Sequence, residues 1–255
     1  MSSKPLQPFA RSAQYYDQIY SGGRKRNYSR EVDVIASFFG ELQTNGRQIV
    51  DWGCGTGEHL SRWPAAAPGW QASGFDPSDG MVQICQRKGL DVYHGDICST
   101  LPCHGLAPAA VQTCLFGAFG YAAAGPDSRG MNAALDNVKW WAASGGLFIL
   151  DVVNYLAAAC HLRSQDCYQC PELRRTFRKR FDLEESLLHY EIEYEPANAA
   201  SFVESHVMRA FTPRELRQAL RLNGFDVLHC FDPESAQMSK PGPESFYFML
   251  VARKR

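Results

Sequence analysis

Gln48-Ile49-Val50-Asp51-Trp52-Gly53-Cys54-Gly55-Thr56-Gly57 passes from a strand-like run into a glycine-rich turn, and His59, Leu60 and Trp63 open a helix just beyond it. Glycines at such a turn bend the chain without a Cβ clash and let backbone approach a ligand closely. The spacing is not Gly-x-Gly-x-x-Gly, and the turn lacks the Gly-Lys-Ser/Thr ending of a phosphate-binding loop. Pro64 and Pro68 are expected to end the helix.

The same period repeats downstream. Residues 70–76 read as a second strand with a helix at 78–87, and 90–94 as a short third strand closing near Gly95-Asp96. Residues 110–116 form a fourth strand, 129–143 a helix and 147–153 a fifth strand, apolar until Asp151. Strands of that kind are buried on both faces, so the fold class is α/β with a parallel, doubly wound sheet. After Asn154 the rhythm breaks. Residues 177–194 and 201–211 alternate and read as antiparallel strands grafted on before the last helix. Thr212-Pro213-Arg214-Glu215 is a helix start with a capping Thr and Pro at the first helical position. Residues 225–231 and 246–252 read as two closing strands. The expected organisation is an N-terminal lid at 1–29, an α/β core at 30–154, an antiparallel insertion at 155–211, and a closing helix and hairpin at 212–255.

The 255 residues are 45% apolar, enough for a normal core, and 26 Lys plus Arg against 27 Asp plus Glu leave a formal charge of -1. That balance gives no global attraction to nucleic acid or an anionic membrane. No run of 18 apolar residues marks a membrane span, and the first residues carry no apolar stretch of a secretory leader. Nine cysteines, an odd number, read as reduced thiols of a cytoplasmic protein. Cys167-x-x-Cys170, with Cys160 and His161 upstream, is a weak metal or redox signal, and no metal is expected.

Carboxylates follow the glycine turn at strand ends. Asp51 precedes the glycines, placed to hold a cationic ligand head or to fix the loop. Asp76 ends the second strand, where a carboxylate accepts both ribose hydroxyls of an adenosine. Asp96 with Ile97 suits an adenine amino group and ring face, and Met81 is placed to pack on that ring.

These residues resemble the class I S-adenosylmethionine-dependent methyltransferases. The matching motifs are IVDWGCGTG at 49–57, GFDPSDGMV at 74–82 and HGDI at 94–97. The resemblance implies a Rossmann-like, mostly parallel seven-stranded sheet. It also implies a cofactor site of Tyr16, Tyr28, Asp51, Gly53, Cys54, Gly55, Asp76, Pro77, Met81, Asp96, Ile97 and Phe116. S-adenosylmethionine would be converted to S-adenosylhomocysteine. Two departures stand out. Pro108-Ala109-Ala110 replaces the Phe-Asp that often precedes strand four, and the NPPY or DPPY motifs of enzymes that methylate exocyclic base amines or glutamine amides are missing.

Tyr16-Asp17-Gln18-Ile19-Tyr20 resembles the Tyr-Asp-x-x-Tyr leader of small-molecule members, among them amino-sugar and glycine N-methyltransferases. By that resemblance Tyr121 holds the position of a polar catalytic side chain, with His206 as a second candidate. Tyr20, Phe119, Tyr121, Asn154, Tyr155 and His206 are the expected acceptor contacts. The basic run Arg174-Arg175-Thr176-Phe177-Arg178-Lys179-Arg180 reads as a solvated edge or a subunit contact, with an anionic substrate group left open. N-methylation of a small-molecule acceptor leads. O- or C-methylation, modification of RNA or protein, and a noncatalytic cofactor-binding partner stay as alternatives. Either a monomer or a homodimer is expected.

Overall fold

The structure is a computed structural model that describes residues 8–22, 27–99, 106–125 and 129–255. After a short 3-10 turn at Ala13–Tyr15, helices α1 (Tyr16–Gly22) and α2 (Tyr28–Ser37) precede β1 (Gln48–Trp52). A 3-10 turn at Leu60–Arg62 and α3 (Trp63–Ala66) lead to β2 (Gln71–Asp76), α4 (Asp79–Arg87) and β3 (Val92–His94). Next come β4 (Ala109–Cys114), α5 (Ala118–Ala122), α6 (Arg129–Trp141), β5 (Ala142–Val153) and α7 (Tyr155–His161). Four further strands follow: β6 (Gln165–Cys170), β7 (Leu173–Asp182), β8 (Leu187–Pro196) and β9 (Phe202–Arg209). Helix α8 (Pro213–Leu222) and strands β10 (Phe225–Phe231) and β11 (Tyr247–Lys254) close the chain.

Seven strands form one sheet in the order β3-β2-β1-β4-β5-β11-β10. Neighbours from β3 to β5 run parallel, while β11 is antiparallel to both β5 and β10. The order reverses between β1 and β4, and in open α/β sheets ligands bind outside the carboxyl ends of strands at such a switch point. The glycine turn leaves the end of β1 there, and Phe116 leaves the end of β4.

The sheet is buried on both faces, as the apolar strand runs require. One face packs Trp52, Phe75, Trp141, Phe148 and Phe225, and the other Ile35, Ile49, Trp63 and Leu147. The buried Trp52 indole donates to Gln112 Oε1 at 2.8 Å, and Gln112 Nε2 donates to the Val138 carbonyl at 2.7 Å. That chain satisfies polar groups which burial would otherwise penalise.

The insertion forms a separate four-stranded antiparallel sheet in the order β6-β7-β8-β9. Leu173, Phe177, Ile192, Tyr194 and Phe202 share its inner face, and Ile19 of α1 packs into them. The outer face carries cross-strand ion pairs such as Arg178 with Glu191 at 2.7 Å.

Several local expectations change. Pro64 does not end a helix but sits in the first turn of α3, where its missing N–H costs nothing. Helix α6 stops at Trp141 and β5 begins at Ala142, so the helix expected over 129–143 is shorter and the strand expected from 147 starts earlier. The segments α5, α7 and β6 were not anticipated. Cys167 and Cys170 lie three apart on β6, so period-2 alternation turns them to opposite faces.

Candidate active site at the switch point

Gly53, Gly55 and Gly57 all take positive φ, +66°, +56° and +79°. At Gly53 a Cβ would lie 2.7 Å from Ala118 Cβ, so close packing as well as conformation requires glycine. At Gly55 a Cβ would meet nothing within 4 Å. Open space therefore fronts the turn.

Asp76 stands beside that space. Its Oδ2 accepts from the Gly55 backbone N–H at 2.8 Å and its Oδ1 from the Ser78 N–H at 2.9 Å. Burial pushes its carboxyl up to about 6, against these two bonds, which pull it down. Asp51 pairs in register with Thr113 of β4, whose hydroxyl donates to Asp51 Oδ1 at 2.6 Å. Its buried Oδ2 has no hydrogen-bond partner among the described residues, and burial raises its carboxyl from the ordinary range. An open cradle at Gly55, a ribose-type carboxylate at Asp76 and an unmatched acceptor at Asp51 fit an adenosyl sulfonium with a cationic amino group.

The N-terminal segment roofs this crevice. Asp17 accepts from the Thr56 hydroxyl and pairs with Lys88 at 2.7 Å, while Lys88 also donates to the Thr56 carbonyl at 2.9 Å. The ring of Phe9 lies 5.9 Å from Tyr16 and 4.8 Å from His206, and Tyr20 stands edge-on to Phe116 at 5.0 Å. Phe116 has φ +59° and Gly117 φ +71°, a tight bend fixed where the Gly117 N–H donates to buried Asp151 Oδ1 at 2.7 Å. Strain of this type is retained where surrounding structure enforces it.

Under the roof lies a cavity of about 660 Å³, bounded among others by Tyr16, Tyr20, Phe116, Tyr121, Asp151 and His206. On its wall the Tyr121 hydroxyl lies 3.0 Å from His206 Nδ1, and His206 Nε2 lies 3.3 Å from Glu204 Oε2. Glu204 also accepts from the Ser12 hydroxyl at 2.6 Å and from the Arg11 and Ser12 N–H groups at 2.9 and 3.0 Å. Burial pushes the Glu204 carboxyl up, but His206 and these donors outweigh it and hold the group below its usual value. A carboxylate only accepts, so His206 Nε2 donates to Glu204 and leaves Nδ1 against the Tyr121 hydroxyl. Burial drives the Tyr121 phenol well above its ordinary value. A protonated phenol hydrogen-bonded to the imidazole results.

The remaining expected residues divide. Met81 is buried with its N–H on the capping Ser78 hydroxyl, and Asp96 Oδ1 accepts from the Cys98 N–H at 2.7 Å. Pro77 is exposed, and its carbonyl accepts from His94 at 3.0 Å. Cys54 presents only backbone to the crevice, because its sulfur turns down against Gly74. Ile97 packs into the main core, with its carbonyl bound by Asn137 at 2.9 Å.

Four expected contacts are corrected. Phe119 is fully buried against Phe148 and Phe211 and does not reach the cavity. Asn154 is spent on structure: its amide donates to the Gly242 and Ser245 carbonyls, and its oxygen caps α7. Tyr155 stands edge-on to Phe181 and donates to the Leu183 carbonyl at 3.1 Å. Tyr28 packs on His59 and under Arg62 rather than along the cavity, which its neighbours Asn27, Arg30 and Glu31 reach instead.

Glu204, Asp151 and Phe9 were missed. Glu204 had a signal: Phe202, Glu204, His206 and Met208 share one strand face, and acid beside imidazole on an apolar face marks a site. Among the described residues no three His, Cys, Asp or Glu side chains gather as metal ligands.

A glycine turn, a carboxylate on the next strand and a roofed cavity at a switch point define an α/β enzyme of the Rossmann-like class. Residues 23–230 match the family model described as Methyltransferase domain, and the chain belongs to that family. Its fold is similar to that of an S-adenosylmethionine-dependent methyltransferase from Clostridium acetobutylicum ATCC 824, with a TM-score of 0.79 at 20% identity over 95% of this chain and 97% of that one. It is also similar to the sugar N-methyltransferase KedS8 from Streptoalloteichus sp ATCC 53650, with a TM-score of 0.74 at 20% identity over 100% and 97% of the two chains. The amino pentose methyltransferase CalS10 from Micromonospora echinaspora gives a TM-score of 0.71 at 18% identity over 100% of both chains. No curated protein matches the sequence.

Proposed function

We propose that the chain methylates a nitrogen of a small-molecule acceptor, with S-adenosylmethionine as donor in the crevice between Gly55 and Asp76. The supporting observation is the Tyr121–His206–Glu204 series on the cavity wall. When bound, the donor supplies an activated methyl on a sulfonium and leaves as S-adenosylhomocysteine. Asp76 and the glycine turn would hold it, and Asp51 would match its amino group.

The protein's own work is orientation, exclusion of water and proton removal. With its proton directed at His206, the Tyr121 oxygen turns its lone pairs to the acceptor and accepts the amine N–H. As the nitrogen gains its methyl and becomes acidic, its proton passes to Tyr121 while the phenol proton passes to His206 Nδ1. Glu204 stabilises the imidazolium that forms. Because burial disfavours a free phenolate, the two transfers are concerted.

In this reading the described residues of the 1–29 segment close over the donor, those of 30–154 bind it, 155–211 wall the acceptor and 212–255 complete the sheet. No helix among the described residues is long and apolar enough to cross a membrane. The described cysteines are free thiols, which suits a reducing cytoplasm. Incubation with methyl-labelled donor and a metabolite extract, followed by mass detection, tests the proposal. Label on a nitrogen supports it, and label on oxygen or carbon moves the assignment to those alternatives.

A further inference from the structure

We infer that Arg175 forms a carboxylate-binding subsite for the methyl acceptor, an assignment that rests on the methyl-transfer reading above. The basic run on β7 does not behave as a uniform solvated edge. Arg174 and Arg178 face outward and meet Glu195 at 3.8 Å and Glu191 at 2.7 Å. Arg175 turns inward, is only 2% exposed and lines the cavity. Its Nε and Nη2 are buried and have no hydrogen-bond partner among the described residues. A buried guanidinium with unmatched donors is costly, and a cavity-facing one points to a ligand that matches them.

The two unmatched atoms identify the ligand's chemistry. Nε and Nη2 form one edge of the guanidinium and present two parallel N–H groups, the fork that a carboxylate accepts. The guanidinium carbon lies 4.3 Å from the Phe177 ring centre and 5.4 Å from that of Tyr20. These aromatic faces suit a flat acceptor group. Of the other cations that line the cavity, Arg30 donates to the Ser235 carbonyl at 2.8 Å and Lys179 lies 3.8 Å from Asp166, while Arg163 is exposed to solvent rather than buried as Arg175 is. Glu31, Asp151 and Glu234 also line the space, which favours a monoanion over a dianionic phosphate.

The test titrates benzoate by calorimetry into the full chain saturated with S-adenosylhomocysteine, with benzamide and phenyl phosphate in parallel. Benzoate is expected to bind the parent and benzamide about tenfold more weakly or not at all. Arg175→Met should weaken benzoate about ten- to a hundredfold while leaving S-adenosylhomocysteine within about twofold. Arg175→Lys keeps the charge but loses the fork, so it also weakens benzoate and serves if Arg175→Met does not fold. Equal binding of benzoate and benzamide by the parent overturns the inference. So does Arg175-dependent preference for phenyl phosphate, or a loss in Arg175→Met that falls on S-adenosylhomocysteine, which would assign the guanidinium to the donor's own carboxylate. Failure of S-adenosylhomocysteine to bind the parent instead contradicts the methyl-transfer reading, and benzoate titrated alone then tests the subsite.

Discussion

Ser12 donates its hydroxyl to Glu204 at 2.6 Å, joining the N-terminal segment to a strand 192 residues away in sequence. Glu204 in turn orients His206 and so Tyr121. The contact ties the N-terminal segment over the Gly55–Asp76 crevice to the Tyr121–His206 wall of the cavity, and the two are assembled together.

Ser12→Ala leaves Glu204 three of its four bonded donors. Removing a hydrogen bond to a buried carboxylate should destabilise the fold by about 1–2 kcal/mol. Denaturant unfolding measures the loss. Proteolytic cleavage within the N-terminal segment should also accelerate in the variant and slow when S-adenosylhomocysteine is added.

Tyr121→Phe keeps the ring packing and removes the proton path. Turnover should fall by about a hundredfold or more, while donor affinity stays within about twofold of the parent. Steady-state kinetics on any methylated amine checks the first, and calorimetry the second. Unchanged turnover would remove Tyr121 from the proton path.

Asp76 gives opposite pH trends for stability and binding. Burial lifts its carboxyl to about 6 from an ordinary 3.8, so the folded state holds this proton at a higher pH than the unfolded chain. Its contribution to stability is therefore complete below the unfolded value and is lost as pH rises through about 6. Ribose hydroxyls donate to the ionised form, so donor affinity falls as pH drops below that value, by about tenfold at roughly pH 5. Titrations of S-adenosylhomocysteine across this range read the trend, and Asp76→Asn should flatten it.

Gly53→Ala combines a left-handed backbone at φ +66° with a Cβ contact of 2.7 Å to Ala118. The expected loss is about 2–3 kcal/mol. Thermal unfolding should show part of it returned in the double variant with Ala118→Gly, which relieves the contact but not the conformation.

The sheet was legible because its strands are continuous apolar runs broken by glycine, and Thr212 announced α8 through its cap, with its hydroxyl 3.2 Å from the Glu215 N–H. The geometry of the crevice proposed for the donor was legible too: Gly53, Gly55 and Asp76 stand at strand ends, where sequence order fixes position. The acceptor side depends on long-range packing. Nothing local tells that Arg175 turns inward while Arg174 turns out, because alternation fixes opposition but not which face is covered. Asn154 read as an acceptor contact, yet its amide was needed by the Gly242 and Ser245 carbonyls of a distant loop. Phe119 was misread because α5 was not foreseen, and that short helix turns its ring into the core.

The claim beneath all of this is that the crevice of Gly55 and Asp76 holds the methyl donor. Calorimetric titration of the parent and Asp76→Ala with S-adenosylhomocysteine, beside a melting curve of each apoprotein, tests it most directly. The account predicts one-to-one binding by the parent, weakened about tenfold or more in the variant, with a much smaller change in melting. No heat of binding at millimolar ligand, or equal affinity in the two proteins, would contradict it.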